Sequence, residues 1–573
     1  MPSPSTHLRA PLLWLLFPLM AGLTAAELWP APAIGLMPVA LAAVALAGIS
    51  LWLSLRGGPP GAPTRHAEVS SGGAPDPNSG RNAGRVIWAI CLCAATALGG
   101  FVMLHLREPQ LHQWENTPPR EITLTVRIDQ LYAGSPQSRS FSGLGQIVAA
   151  PAPNRALIGR RMFLSALRRI SVIPHRSGCY LVRGVLAPLP PDSAEATFND
   201  FLSNLGIRQT LTRARLLRET SPPSWFRRFC DQTEQRLEKI LAHGLERHPE
   251  ISSLYIAMLL GEKAVLSSDQ QNAFMRSGTF HIFSISGLHV SVIAVALQSV
   301  LQLLQLPRRA TVALSVAILW LYLEVTGINS PAVRSFLMIA FLFSRKIFRL
   351  PGNPLAALAA AALTTLLLDP MQLFSTGFQM SYAVVTALVV MGVPLAERFL
   401  AAWHPFAALP RINWRWRHHV LDWISRALIG SLTAGAVAFL ASAPSGIGYF
   451  HLFSPGSLLA NLLIVPLSSL AIIGGFLSLL TGLAGLLSLS ALFNSAAALT
   501  ILAMDWLAQH GTRLPGVYFD AHFRYAWLAP VSLVAMTGVM FAGLAGRWAG
   551  RYGGYWPPAA LLAVILIFGV KFG

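Results

Sequence analysis

Charge is scarce in this sequence. Asp, Glu, Lys and Arg make up only 12% of its 573 residues, about half the share usual in soluble domains. So few charges cannot cover the surface of a soluble protein of this length, which excludes a soluble globular fold. Acids are the scarcer sign, 24 against 43 Lys and Arg, for a formal net charge of +19. Cysteine is nearly absent. None of Cys91, Cys93, Cys179 and Cys230 forms a metal-ligand pattern with a nearby His or a second CxxC pair. Cys91 and Cys93 lie in an apolar run and read as packing residues. Cys179 and Cys230 pair only if both face an oxidising compartment. No repeat of fixed period, cofactor motif or metal-ligand set is visible.

What is abundant is apolar sequence, 54% of residues. It falls in blocks near 20 residues, enough to cross about 30 Å of hydrocarbon at 1.5 Å per residue. The runs 11–28 and 34–55 follow one another across a short turn at Glu27-Leu28-Trp29-Pro30, which favours a retained hairpin over a cleaved signal peptide. Residues 56–85, rich in Gly, Pro, Ser and Asn, read as a flexible linker, and a third span covers 86–106. The pattern then changes. Ile122 to Ile128 alternates with period two, and Gly145 to Val148 and Cys179 to Leu186 are further short runs separated by Gly, Pro and Ser, which predicts a small β-barrel or sandwich. From Trp225 to Leu245 apolar and charged residues alternate at helical spacing, as in an amphipathic interfacial helix.

Membrane-like runs return near 280–304, 310–327, 331–345, 354–368, 375–395, 424–443, 457–480, 485–506, 526–544 and 557–571. With the first three they predict a polytopic α-helical membrane protein of about 13 spans. The expected divisions are a three-span region (1–106), a β domain (107–220), amphipathic helices (221–279) and a membrane core (280–573). With a cytoplasmic N-terminus, every basic cluster falls on one side: the linker, Arg308 and Arg309, Arg345 to Arg349, Arg398 to Arg417, and Arg547 with Arg551. The positive-inside rule therefore places the β domain and the C-terminus outside the cytoplasm. Residues 105–228 hold 17 Lys or Arg against 8 Asp or Glu. Two explanations stand open: attraction to nucleic acid, or a generally basic composition and contact with anionic lipid.

Polar groups inside the spans are the candidate functional residues. In Ser277 to Val290, His289 lies about nine residues into the expected span, or about 14 Å deep, with Ser286 on the same face. Polar residues at that depth line a bundle interior or a water-filled path, although small-residue packing produces similar sequences. Ser330-Pro331 reads as a helix start, which puts Arg334 in the first turn, where the helix dipole disfavours a cation. Glu324, across the Gly327-Ile328-Asn329 turn, is the expected partner. Gln379 and Asn461 are further polar residues in spans. Asn461, Ser468 and Gly475 form a seven-residue stripe, and Pro466 is expected to kink its helix.

The segments Phe283 to Val290, Ser330 to Ser335 around Arg334, Asp369-Pro370 followed by Gly377 to Ser381, and Asn461 with Pro466 together resemble the ComEC-type competence family, the inner-membrane channel of DNA uptake. The resemblance covers about residues 10–520. It implies an extracytoplasmic OB-like barrel after the third span, single-stranded DNA as cargo, and a path past Ser286, His289, Glu324, Asn329, Arg334, Gln379 and Asn461. It also implies a periplasmic DNA-binding protein, a cytoplasmic translocation ATPase and a separate nuclease as partners, in the lipid bilayer of the inner membrane, with homo-oligomerisation open. Many members carry a metallo-β-lactamase-like domain with a His-x-His-x-Asp-His motif. That motif does not occur here, so no enzyme activity, catalytic residue, metal or cofactor is expected. A transporter for another solute is the alternative, and a membrane-embedded enzyme ranks last.

Overall fold

The computed structural model describes residues 10–29, 35–57, 78–107, 118–132, 140–167, 174–189, 199, 202, 207–261, 266–283, 285–327, 330–348, 353–406, 413–546, 548 and 554–572. Most of the expected linker lies outside these. The chain divides into two compact units, Met1–Asn116 with Asn353–Leu373, and Thr117–Gly352 with Phe374–Gly573.

The first unit contains α1 (Leu13–Leu28), α2 (Met37–Gly57) and α3 (Asn78–Arg107), together with α10 (Pro354–Leu368), which comes from far along the sequence. Glycines let α1 and α3 touch backbone to backbone. A Cβ at Gly100 would stand 2.8 Å from the Leu19 carbonyl oxygen, and one at Gly22 would overlap that of Ala97. Small residues at helix contacts are the usual means of close packing in lipid.

The second unit begins with a closed barrel of β1 (Arg120–Tyr132), β2 (Ser140–Ala149), β3 (Arg161–Leu167), β4 (Cys179–Pro188) and β5 (Gln209–Ser221). The strand order around the barrel is β1-β2-β3-β5-β4. The β3–β5 pair is parallel, and the others are antiparallel. The alternation seen in the sequence sets the faces: Leu124, Val126, Met162, Leu164, Tyr180, Val182 and Leu211 point inward and are fully buried. Gly184 lets β4 and β5 approach, since a Cβ there would stand 2.9 Å from the Ala214 Cα.

Ser224 caps α4 (Trp225–Ala242) by accepting from the Arg227 N–H at 3.3 Å. The apolar face of α4, Cys230, Leu237 and Leu241, is buried. The next helix, α5 (Pro249–Leu260), does not continue this amphipathic pattern. Seven of its 12 residues are buried, because it is apolar on every side and too short to span a bilayer. The bundle continues with α6 (Ser268–Arg276), α7 (Gly287–Leu303), α8 (Arg308–Val325), α9 (Ser330–Phe348), α11 (Thr376–Ala387), α12 (Val393–Ala402), α13 (Trp416–Phe450), α14 (Ser457–Leu483), α15 (Leu487–Gly511), α16 (Leu528–Ala545) and α17 (Pro557–Val564). Seven helices of the described residues are long and apolar enough to cross a membrane, and five shorter apolar helices accompany them. The chain is a membrane protein with a barrel between its third and fourth helices.

Three details depart from the linear reading. First, the span expected at 280–304 is broken. A 3₁₀ turn, Phe280–Phe283, precedes α7, which starts only at Gly287. Second, β6 (Leu452–Phe453), β7 (Phe519–Phe523) and β8 (Val570–Phe572) form a small sheet joining three distant loops. Third, Leu388–Gly392 between α11 and α12 is a π-turn. Pro394 has no N–H for the carbonyl four residues back, and the buried Trp548 Nε1–H donates to that Val390 oxygen at 3.2 Å instead. By contrast, α14 runs through Pro466 as one 27-residue helix. All four cysteines are free thiols, so Cys179 and Cys230 are unpaired.

Candidate functional site

The helix break sets the position of His289. It lies in the first turn of α7, not about nine residues into a span, and is fully buried. Its Nδ1 faces the N-cap residue: the Ser286 N–H donates to it at 3.3 Å, and Ser286 Oγ lies 2.9 Å away. This is the geometry of a capping box with His in the place of Glu or Gln. The far ring nitrogen, Nε2, is buried with no hydrogen-bond partner among the described residues.

Arg334 is only 2% exposed and is one of the largest fully enclosed side chains. One Nη donates to Ser330 Oγ at 2.7 Å and the other to the Gly377 carbonyl at 2.8 Å, while Nε has no partner among the described residues. The expected ion pair with Glu324 is not formed. Glu324 Oε2 lies 2.7 Å from Nη1 of Arg227 on α4. The reason is facing: the last turn of α8 presents Glu324 to α4, whereas Arg334, one turn into α9, looks toward α11.

These contacts bring three helix starts together. Ser375 caps α11 by accepting from the Phe378 N–H at 3.2 Å. A Cβ at Gly377 would stand 3.1 Å from Arg334 Nη2, and one at Gly287 would stand 3.6 Å from Ser335 Oγ. The N-terminal ends of α9 and α11 therefore meet at the Arg334 guanidinium, and that of α7 lies against α9 at Ser335. Each N-terminus carries partial positive charge and unsatisfied N–H groups, so the cluster is strongly electropositive and suited to an anion. Gly377 is exposed beside the buried Arg334, and Gly287 is exposed beside Ser335. Only side chains as small as theirs leave the site open.

The other expected residues separate. Gln379 accepts from Tyr449 Oη at 2.6 Å, which ties α11 to α13. Asn461 is half-buried on α14, with its Oδ1 unpartnered and no bond to the cluster among the described residues. Asn329 lies outside the described residues. On the Asn461 stripe, Ser468 bonds to the Val465 carbonyl at 2.8 Å, and a Cβ at Gly475 would crowd Leu259 and Tyr255. The lower part of that stripe is thus a packing face for α5.

A second polar group had no part in the expected site. Asn494 on α15 is fully buried. Its Nδ2 donates to the Ile240 and His243 carbonyls at 2.7 and 2.9 Å, and its Oδ1 accepts from Tyr255 at 3.3 Å. It satisfies the last carbonyls of α4 and so fixes the helix that leads from the barrel into the bundle. An Asn in the middle of the apolar run 487–511 was the available signal. Tyr322 likewise donates to the Leu259 carbonyl at the end of α5.

The segment that carries the Ser286, Arg334, Gln379 and Asn461 elements is the one that known proteins share. The description of the Competence protein family matches residues 258–549. The chain belongs to the Competence protein family. It is 25% identical over 278 residues to ComE operon protein 3 of Bacillus subtilis, covering 46% of this chain and 31% of that one. It is 30% identical over 233 residues to Competence protein ComA of Neisseria gonorrhoeae, covering 39% and 32%. It is 24% identical over 259 residues to Recombination protein 2 of Haemophilus influenzae, covering 43% and 30%. The matches thus span about a third of the length of these relatives. No solved structure matches the chain.

Proposed function

We propose that this protein is an inner-membrane channel that carries single-stranded DNA into the cytoplasm during natural transformation. The observation that carries this reading is the meeting of the α9 and α11 N-termini, with that of α7 alongside, at Arg334, a buried cation with no carboxylate partner among the described residues. Taking such a charge out of water costs several kcal/mol, and a buried cation left unpaired in a membrane bundle marks a path for anions. A polyanion in transit needs donors that hold it weakly and at several points. Arg334, His289 and the open N–H groups of the three helices are of that kind.

The barrel supports the same reading. Its order β1-β2-β3-β5-β4 with one parallel pair is that of an OB-like domain. Residues 118–221 hold 14 Arg against 6 Asp or Glu, an excess that would gather a phosphate backbone. In this reading the N-terminus is cytoplasmic, about 13 segments cross the membrane, and the barrel and the β6–β8 sheet lie outside. The chain conducts the strand without cutting it, and a separate nuclease and a translocation ATPase act with it.

Deleting the gene and supplying labelled duplex DNA tests this. The expected result is loss of transformants, with label still reaching the periplasm but absent from the cytoplasm. Normal transformation in the deletion strain would reassign the bundle to another solute.

A further inference from the structure

The 35-residue α13 is about 52 Å long at 1.5 Å per residue, well beyond the ~30 Å of hydrocarbon. At its start Trp416 and Trp423 are 72% and 71% exposed, with Val420 between them at 43%. These positions, i, i+4 and i+7, share one face. The same stripe continues through exposed Ala427 and Ala434 into the membrane-length part of the helix, so the two indoles stand at the end of a lipid-facing surface. Beside them Arg415 and Arg417 are exposed. Arg417 lies 5.9 Å from the Trp416 ring centre. Among the described residues neither arginine has a carboxylate partner, since Asp422 is held by Arg426 at 2.8 Å.

This end is also rigid. Phe406 packs on Trp414 and His418 at ring distances of 5.5 and 4.9 Å, and Trp403 donates to Ser425 Oγ at 2.9 Å.

We infer that the Trp416 end of α13 is a binding surface for anionic phospholipid headgroups. The indoles sit at the headgroup level, where Trp is favoured, and each exposed guanidinium offers charged donors to a phosphodiester. Basic residues next to a span hold anionic lipid by the same electrostatics. A single-stranded nucleic acid also offers phosphates and stacks on Trp. It would need the indoles to face water, whereas their stripe runs on into lipid. This inference is independent of the DNA reading.

The test uses the full-length protein in zwitterionic nanodiscs, with added phosphatidylglycerol retained on the protein counted by native mass spectrometry. Arg415→Gln with Arg417→Gln should lower its retention about tenfold or more, while phosphatidylcholine retention is unchanged. Arg415→Lys with Arg417→Lys should keep part of it. A dT oligonucleotide added to the same nanodiscs should bind equally well to wild type and to the Gln pair. Equal retention of phosphatidylglycerol by the Gln pair would overturn the inference. Loss of oligonucleotide binding in that pair would also overturn it, by giving the surface to nucleic acid. All four side chains are exposed, so an unchanged elution profile and melting temperature check that the fold persists.

Discussion

Arg183 on the barrel and Arg334 in the bundle are the same side chain in opposite surroundings. Arg183 is 58% exposed and meets Glu121 at 2.8 Å across β4 and β1. Arg334 is 2% exposed and, among the described residues, donates to a hydroxyl and a carbonyl. An exposed pair costs little to make and contributes little, because water screens it. A buried cation without a counter-charge is expensive, and stability gives no reason to keep it. The barrel uses its charge as a surface property that many substitutions would preserve. The bundle instead buries a charge that ties α9 to α11 through the Gly377 carbonyl.

The largest expected effect follows from that contrast. Arg334→Ala should abolish uptake of labelled DNA into the cytoplasm while membrane levels of the protein stay near wild type, because removing an unpaired buried charge relieves a desolvation cost. Arg334→Lys, which cannot reach Ser330 and the Gly377 carbonyl with a planar fork, should retain only a small fraction of uptake. Adding Glu324→Ala should not rescue Arg334→Ala, since the two are not partners. Wild-type uptake in the Arg334→Ala strain would remove the basis for treating the two arginines differently.

Arg227→Ala comes next. It strands the buried Glu324 carboxylate and should cost about 3 kcal/mol, read as a lower melting temperature. Arg227→Ala with Glu324→Gln should recover most of it. A merely additive double variant would show that the 2.7 Å pair contributes nothing. Asn494→Leu should cost about 2 kcal/mol, because the α4 carbonyls lose their donor inside the bundle. Proteolysis at the α4 end should rise in parallel, and unchanged protease resistance would count against its anchoring role. Trp548→Phe keeps the ring but leaves the Val390 carbonyl without a donor, for about 1 kcal/mol.

The smallest effect lies in the barrel. The hydrogen bond from Arg183, and then its charge, hold the Glu121 carboxyl below its ordinary value of 4.5. A carboxyl lowered on folding adds stability above that ordinary value and loses it as pH falls through the folded value. Melting curves of wild type and Glu121→Gln should therefore converge in acid and differ slightly near neutrality. A difference that grows in acid would reverse the assignment.

The two regions were unequally legible. The barrel could be read from its period-two runs, because side chains in a strand alternate between faces and each strand displays its own core. The helices were legible as blocks of about 20 apolar residues. The start of α7 was not, because Phe280 to Phe283 is as apolar as the helix that follows, and only the Ser286–His289 cap marks the break. Ser286, His289 and Arg334 stood out as polar groups in apolar runs. Their partners did not, since Gly377 contributes a backbone carbonyl that no side-chain pattern reveals.

By itself the sequence determined that this is a membrane protein with a β domain set between helices, because apolar length and period are local properties. It also determined which polar residues are costly, because cost depends on the residue and its apolar neighbours. Tertiary structure alone decided who meets whom. It placed α10 with the first three helices, gave Glu324 to Arg227, brought Asn494 to the end of α4 and joined the starts of α9 and α11 through Arg334. Each of these joins residues tens to hundreds of positions apart, and the facing of packed helices, not the chain between them, sets the contact.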